Sequence, residues 1–303
     1  MNYIKNNLIK KYPWIARSSD DIADYIPPEY YNKLLKKYIF KGLTDLEHFR
    51  KYLKTNLPFK QNNLRVLELG FGSGRATNIF FDVVNKYKFF DLIDLSKDMH
   101  DYAKKRFNNK TNLKFFEIDT INFLEKTKSK YDLIFSLWSF SHSVHQHMIY
   151  EGKQKSSKYI AKTIKKFLLQ NINKGGKMYL IHFDTQSEEQ CILVNQWKKV
   201  FPIFKSNQQS PSKKLLDKIF IDFKDKKIID LNIKHYTGEK IKYESFEEAL
   251  EIFMNFHMET YFNKNKKVES IIQELKKEFK KYKKGNKVYI SPGCFIYEIA
   301  KRQ

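Results

Sequence analysis

Apolar positions change their rhythm near residue 64. Before it, residues 1 to about 60 carry aromatic and aliphatic side chains at helical intervals, interrupted at Pro27-Pro28. Thr44 followed by Glu47 forms a capping box, each side chain satisfying an orphan N–H of the first turn, and predicts a helix through about Asn56. From Leu64 onward, short apolar runs alternate with amphipathic stretches. The runs are Arg65-Leu69, Phe89-Leu95, Leu113-Ile118, Tyr131-Leu137 and Lys177-Phe183. Helical spacing is read near Ala76-Asn85, Met99-Phe107 and Lys158-Asn171. Strands alternating with helices predict a parallel sheet covered on both faces. The run 130–139 is apolar almost throughout, as a central strand buried on both faces requires.

Past Phe183 the alternation loosens. Ser187 with Gln190 opens a helix to about Val200, and the Ser/Asn/Gln/Pro stretch 206–212 reads as a loop. Ile228-Tyr236 and Glu239-Tyr243 have strand composition. Ser245 with Glu248 caps a helix over Phe246-His257, and Val268, Ile271, Ile272, Leu275, Phe279 and Tyr282 give one apolar helical face. Val288-Ile299 reads as a last strand, interrupted at Pro292-Gly293. The expected organisation is an N-terminal helical cap over 1–60, a core of 61–240 with 286–303, and a helical insertion at 241–285 roofing the substrate site.

Composition narrows the class. The chain of 303 residues is 42% hydrophobic and 16% aromatic, enough to build a sizeable core and to exclude a disordered chain. The formal charge of +23 invites a nucleic-acid reading. Only six of the basic residues are arginine, however, and the lysines are spread along the whole chain. Base and phosphate readout would favour the planar arginine fork. The charge therefore reads as a solvated surface with some attraction for acidic substrates, and nucleic acid is disfavoured. Cys191 and Cys294 have neither framework nor metal-ligand spacing. No leader or membrane-spanning run is read, so a cytoplasmic location is expected.

Three signals carry chemistry. In Val66-Leu67-Glu68-Leu69-Gly70-Phe71-Gly72-Ser73-Gly74, an apolar strand ends in an acid and three glycines at spacing two precede a helix. Glycines permit a tight turn and close backbone approach to a ligand, and the helix offers free N–H groups. A dinucleotide fingerprint would want its third glycine one place later, where Arg75 stands. Asp94 follows Gly74 by twenty residues, at the end of the next strand, where a carboxylate can accept both hydroxyls of a ribose. Ile118-Asp119-Thr120 closes the third strand, and an acid there can accept from an adenine amino group. In open sheets of this kind, ligands bind beyond the carboxyl ends of the strands.

Taken together, residues 60–185 resemble the class I S-adenosylmethionine (SAM)-dependent methyltransferases. The resemblance implies a Rossmann-like, doubly wound α/β sheet of seven strands, mostly parallel with an antiparallel last strand, plus a helical cap. It implies SAM as cofactor and S-adenosylhomocysteine (SAH) as its product. Glu68, Gly70, Gly72 and Gly74 look like the family's first motif, holding the methionine part. Asp94 resembles the ribose acid, Leu95 and Met99 the apolar residues on the adenine, and Asp119 and Thr120 the adenine-edge pair. Ser136, Leu137 and Trp138 fall where the fourth strand opens onto the methyl group. The tail, with helical material before Lys287-Tyr297, is similar to small-molecule enzymes of the trans-aconitate type.

The acceptor is less legible. Ser136-Leu137-Trp138-Ser139-Phe140 replaces the Asn/Asp-Pro-Pro-Tyr/Phe motif of enzymes that methylate bases or glutamine, and no metal-binding aspartate stands there. Methyl transfer needs positioning and removal of one proton, for which histidine is suited. His142 and His145 follow the fourth strand and are the catalytic candidates. Local hydrogen bonding is the plainer role for them, and metal binding lacks a further ligand. His182, His257, Tyr25 and Tyr30 are substrate-side candidates, although Trp14, Tyr25, Tyr30 and Tyr31 can equally pack the cap, and Trp197 reads as helix core. The expected function is methyl transfer from SAM to an oxygen or nitrogen of a small molecule, for which the lysine excess favours an acidic one. The alternatives are an RNA- or protein-modifying enzyme and a SAM-binding protein without catalysis.

Overall fold

The computed structural model describes residues 2–16, 34–57, 63–201, 203–257, 262–263 and 265–302. Seven strands form the main sheet: β1 (Leu64–Leu69), β2 (Tyr87–Asp94), β3 (Leu113–Glu117), β4 (Tyr131–Leu137), β5 (Ile172–Phe183), β6 (Ile229–Thr237) and β7 (Gly293–Lys301). Their order is β3-β2-β1-β4-β5-β7-β6. β7 runs antiparallel to both neighbours, and the remaining ladders are parallel. The sheet is Rossmann-like and doubly wound. The chain steps outward from β1 to β3, then returns to β4 on the other side, so a crevice opens where the direction reverses.

Eleven α-helices accompany it among the described residues. They are α1 (Asn2–Lys11), α2 (Asp45–Asn56), α3 (Arg75–Val83), α4 (Lys97–Arg106), α5 (Thr120–Lys126) and α6 (Phe140–Tyr150). They continue with α7 (Lys153–Gln170), α8 (Glu188–Val200), α9 (Pro211–Asp225), α10 (Phe246–Ile252) and α11 (Val268–Phe279). Strand alternation sends side chains to two separate cores. Val66, Phe90, Phe135, Tyr179 and Ile181 pack with Phe49 and Phe80 on one face. Leu67, Leu69, Ile134, Met178 and Leu180 pack with Ile160, Ile164 and Phe167 on the other. Each such burial is worth about 1.5–3 kcal/mol. Phe49 meets Phe135 with ring centres 4.6 Å apart, which seats α2 on the sheet.

Local rules explain most ends. Thr44 and Glu47 form the expected reciprocal box at α2. Ser187, Ser210 and Ser245 each accept from the backbone N–H three places on, starting α8, α9 and α10.

Several elements differ from the sequence reading. Residues 39–44 form a two-stranded hairpin, Ile39–Phe40 with Leu43–Thr44, turned at Lys41 and Gly42 with φ of 50° and 73°. Part of the stretch read as a loop belongs to α9, because Pro211 fits a first helical turn after the Ser210 cap. The helix expected through His257 stops at Ile252 and continues as a π-helical turn, Phe253–His257. The strand expected over Val288-Ile299 is two strands. Lys287–Ile290 joins Ile241–Tyr243 and Lys283–Lys284 in a separate three-stranded sheet. The break at Gly293 allows a close approach, since a β-carbon there would lie 2.8 Å from Ser187 Cβ. The segment 241–285 is therefore not purely helical. No described helix is long and apolar enough to cross a membrane.

Candidate functional site

The carboxyl ends of β1, β2 and β4 open into one cleft. Its walls include Glu68, Gly70, Gly72, Asp94, Leu95, Met99, Asp119, Thr120 and Trp138. The strand ends converge because β1 pairs in parallel register with both β2 and β4. Gly70, Gly72 and Gly74 all hold positive φ, at 72°, 51° and 76°. The three glycines differ in what surrounds them. A β-carbon on Gly70 would lie 1.8 Å from Ser139 Oγ, and one on Gly74 would lie 2.3 Å from the Phe107 ring. At Gly72 it would meet nothing within 4 Å. Gly70 and Gly74 are therefore fixed by packing, while Gly72 faces open space.

Asp94 is tied to that loop. Its Oδ2 accepts the Gly72 N–H at 2.7 Å, and its Oδ1 accepts the Ser96 N–H at 2.9 Å. Burial lifts the Asp94 pKa above the ordinary carboxylate value, and these backbone donors hold the rise back. Each oxygen keeps a further lone pair for a ligand hydroxyl. Glu68 is buried, and its Oε2 accepts the Thr77 hydroxyl at 2.6 Å. Desolvation pushes its pKa well above the usual range, the Thr77 bond opposes this, and the Asp94 charge adds to it. Asp119 caps α5, its Oδ1 accepting from the Asn122 N–H at 2.9 Å, and the same oxygen meets His147 Nε2 at 2.6 Å.

A second constellation braces the loop from behind. Asp45, fully buried, receives both guanidinium nitrogens of Arg75 at 2.9 Å. Trp138 donates its indole N–H to Asp45 Oδ2 at 2.8 Å. Trp138 itself has φ of 72°, a left-handed conformation that an L-residue of its size rarely adopts. Its ring packs on Phe183, with centres 4.4 Å apart.

The far end of the cleft has a different character. Gln190, Leu193, Val194 and Trp197 line it from α8, joined by Phe204, by Phe256 of the π-helical turn, and by His142 and His145 of α6. The two imidazoles lie 4.3 Å apart, edge to face. Burial lowers the His142 pKa to about 4 and that of His145 well below its usual value, the His142 ring adding to the latter. Both are neutral near pH 7.

A family model described as a methyltransferase domain matches residues 66–155. The matched span runs from β1 to the start of α7 and holds the glycine loop, Asp94, Asp119 and both cleft histidines. Among curated proteins the sequence has no significant match. Among solved structures, it is similar to the YcgJ protein of Bacillus subtilis, with 13% identity and a TM-score of 0.49, covering 85% of this chain and 99% of that one. It is also similar to a SAM-dependent methyltransferase of Thiobacillus denitrificans solved with S-adenosyl-L-homocysteine. There the identity is 15% and the TM-score 0.45, over 92% of this chain and 100% of that one.

Three residues singled out from sequence stand elsewhere. Ser136, at the end of the domain's fourth strand, is not on the cleft wall. It is fully buried, donating to the Leu69 carbonyl at 2.6 Å and accepting from the Phe140 N–H at 3.1 Å. His182 points to the opposite face of the sheet, between Phe140 and Tyr297, so it does not reach the cleft as a substrate residue would. Gly74 is covered by Phe107 instead of lining the cleft. Trp197, read as helix core, is buried in the core as expected and also lines the cleft. Tyr25, Tyr30 and Tyr31 lie outside the described residues. His257 ends the π-helical turn, and only its backbone is described.

The sequence reading missed Asp45 and the partner it gives Arg75, and it gave His147 no part in holding Asp119. It also passed over the α8 wall, although Gln190, Leu193, Val194 and Trp197 stand at the spacing i, i+3, i+4, i+7 of one helical face. Among the described wall residues none is a lysine, and the one arginine, Arg75, is neutralised by Asp45. No group of described His, Cys, Asp or Glu residues is arranged to hold a metal ion.

Proposed function

We propose that the protein transfers the methyl group of SAM to an oxygen or nitrogen of a small molecule. The observation that carries this reading is the convergence of Glu68, Asp94 and Asp119, from three adjacent strand ends, on one cleft with the open Gly72 turn. The donor set suits the cofactor. Asp94 has acceptor capacity left for two ribose hydroxyls, each such charge-assisted bond being worth roughly 1.5–3 kcal/mol. Asp119 presents a carboxylate to an amino group, and Leu95 and Met99 supply apolar surface for a base. Glu68 stands beneath the glycine turn, where a buried acid gains by meeting a cationic ammonium.

Bound SAM supplies a methyl group already activated on a sulfonium and leaves as neutral SAH. The protein's own share is to hold the acceptor in line, exclude water and receive one proton. Trp138, locked by Asp45, fixes the wall between the two ends of the cleft. His142 is neutral at physiological pH and so is able to take the proton, with His145 beside it. A pKa near 4 makes His142 a weak base. That suffices for an oxygen acceptor, because the oxonium formed by its methylation is strongly acidic, whereas a methylated amine keeps its proton until water takes it.

Titration calorimetry with SAH, followed by incubation of methyl-labelled SAM with protein and host extract, tests the reading. Expected are SAH binding, its loss in Asp94→Ala, and label in a new small compound. No SAH uptake, or label only on RNA or protein, would overturn it.

A further inference from the structure

The acceptor end of the cleft states what kind of molecule it takes. Leu193, Val194, Trp197, Phe204 and Phe256 give it apolar and aromatic walls. Trp197 and Phe204 lie 5.7 Å apart at 58°, and His145 meets both, with ring centres at 6.1 and 5.5 Å. The three rings pack on one another and together give the cleft one aromatic wall, against which a flat, apolar guest can lie in offset or edge contact.

Charge is missing from this end. No Lys, Arg, Asp or Glu stands among its described wall residues. The charged wall residues, Glu68, Arg75, Asp94 and Asp119, all belong to the glycine-loop end. The lysines of α8 are occupied outside the slot. Lys198 bonds Ser206 Oγ at 2.7 Å, and Lys199 pairs with Glu274 at 2.5 Å. A carboxylate entering this end would lose its water and find no counter-charge among the described wall residues, which disfavours it. Among the described wall residues, the net charge of +23 is therefore not represented at this end of the cleft.

One polar atom there awaits a partner. His145 Nε2 is shut off from solvent and has no hydrogen-bond partner among the described residues. Buried polar groups are as a rule satisfied, so an orphan on a cleft wall marks where a ligand group completes the bonding. Gln190, one helical turn from Leu193 and Val194, adds a neutral amide to the same wall.

We infer that the methyl acceptor is a neutral, ring-bearing small molecule with a hydroxyl or amino group, packed against the joined Trp197 and Phe204 rings and recognised by His145. This rests on the methyltransferase reading above and replaces the acidic acceptor that composition suggested.

The experiment compares two probes of one shape, 4-methylphenol and 4-methylbenzoate, titrated into full-length protein saturated with SAH. The neutral phenol is expected to bind at least about tenfold more tightly than the anion, because the anion lacks a partner. His145→Leu and Trp197→Ala should each weaken phenol binding by about fivefold or more while SAH affinity stays unchanged. If Trp197→Ala does not fold, the comparison of the two probes on the unaltered protein still decides. Equal or tighter binding of 4-methylbenzoate, no phenol binding, or full phenol affinity in His145→Leu overturns the inference. Failure to bind SAH in the first titration instead overturns the methyltransferase reading beneath it.

Discussion

Asp45 Oδ2 accepts the indole N–H of Trp138 at 2.8 Å, joining residues 93 positions apart. The same carboxylate receives the Arg75 fork, so one buried side chain ties the start of α2 to the glycine turn and to the end of β4. Removing it leaves a partly buried guanidinium without its counter-charge. Asp45→Ala should therefore lose about 3–5 kcal/mol of stability in urea unfolding. Asp45→Asn keeps an acceptor for the indole and should lose less. A loss within 0.5 kcal/mol of zero, the ordinary range of a surface change, would refute the bracing role.

The glycine loop gives two opposed expectations. Gly72→Val places a side chain in open space at a φ of 51°, so its cost to the fold should be limited to about 1–2 kcal/mol of backbone strain. Its SAH affinity should fall by more than about tenfold, as the valine occupies ligand space. Gly74→Ala drives a methyl group into the Phe107 ring and should instead destabilise by about 1–3 kcal/mol, read as a lower melting temperature. Unchanged SAH affinity in Gly72→Val would remove the loop from the binding site.

His147 holds Asp119 by a 2.6 Å contact from α6. Without it, Asp119 keeps its Asn122 cap but loses the lateral restraint on its carboxylate. His147→Ala should weaken SAH binding by about 0.5–1.5 kcal/mol, or roughly two- to tenfold, with little effect on acceptor-probe affinity. Equal loss of both affinities would point to a general disturbance of α6.

Acid should unfold the protein through its buried imidazoles. Burial depresses His142 to about 4 and His182 to about 3 from an ordinary value of 6.5. The unfolded chain thus binds protons that the folded chain refuses. Stability is then fully present above about pH 6.5 and falls as pH drops toward 4. His182→Leu, remote from the cleft, should make this fall shallower by about one proton in urea titrations at pH 5 to 6. An unchanged slope would mean that His182 is charged in the fold.

The alternation of the first five strands with helices and the glycine-loop end of the cleft were legible because they rest on local signals. Apolar runs of strand length, an acid at each of three strand ends and the Thr44 box are all short-range patterns. What escaped depends on the third dimension. The sequence gives no hint that Asp45 reaches Arg75 and Trp138, since that bond needs α2 laid across the sheet. Ser136 and His182 sit at strand ends as motif residues should, yet strand parity turns His182 away from the cleft, and Ser136 spends both of its bonds on backbone. Phe253–His257 continues α10 with the wider spacing of a π-helix, which helical periodicity does not separate from an α-turn.

β7 enters the sheet between β5 and β6, and β6 has no other strand partner among the described residues. It behaves as a keystone. Exchanging a β6 amide with solvent requires opening one ladder, whereas freeing β7 requires opening two. Solvent deuterium should consequently enter β6 first, and any damage to β7 should release β6 with it, exposing two unpaired edges to other chains.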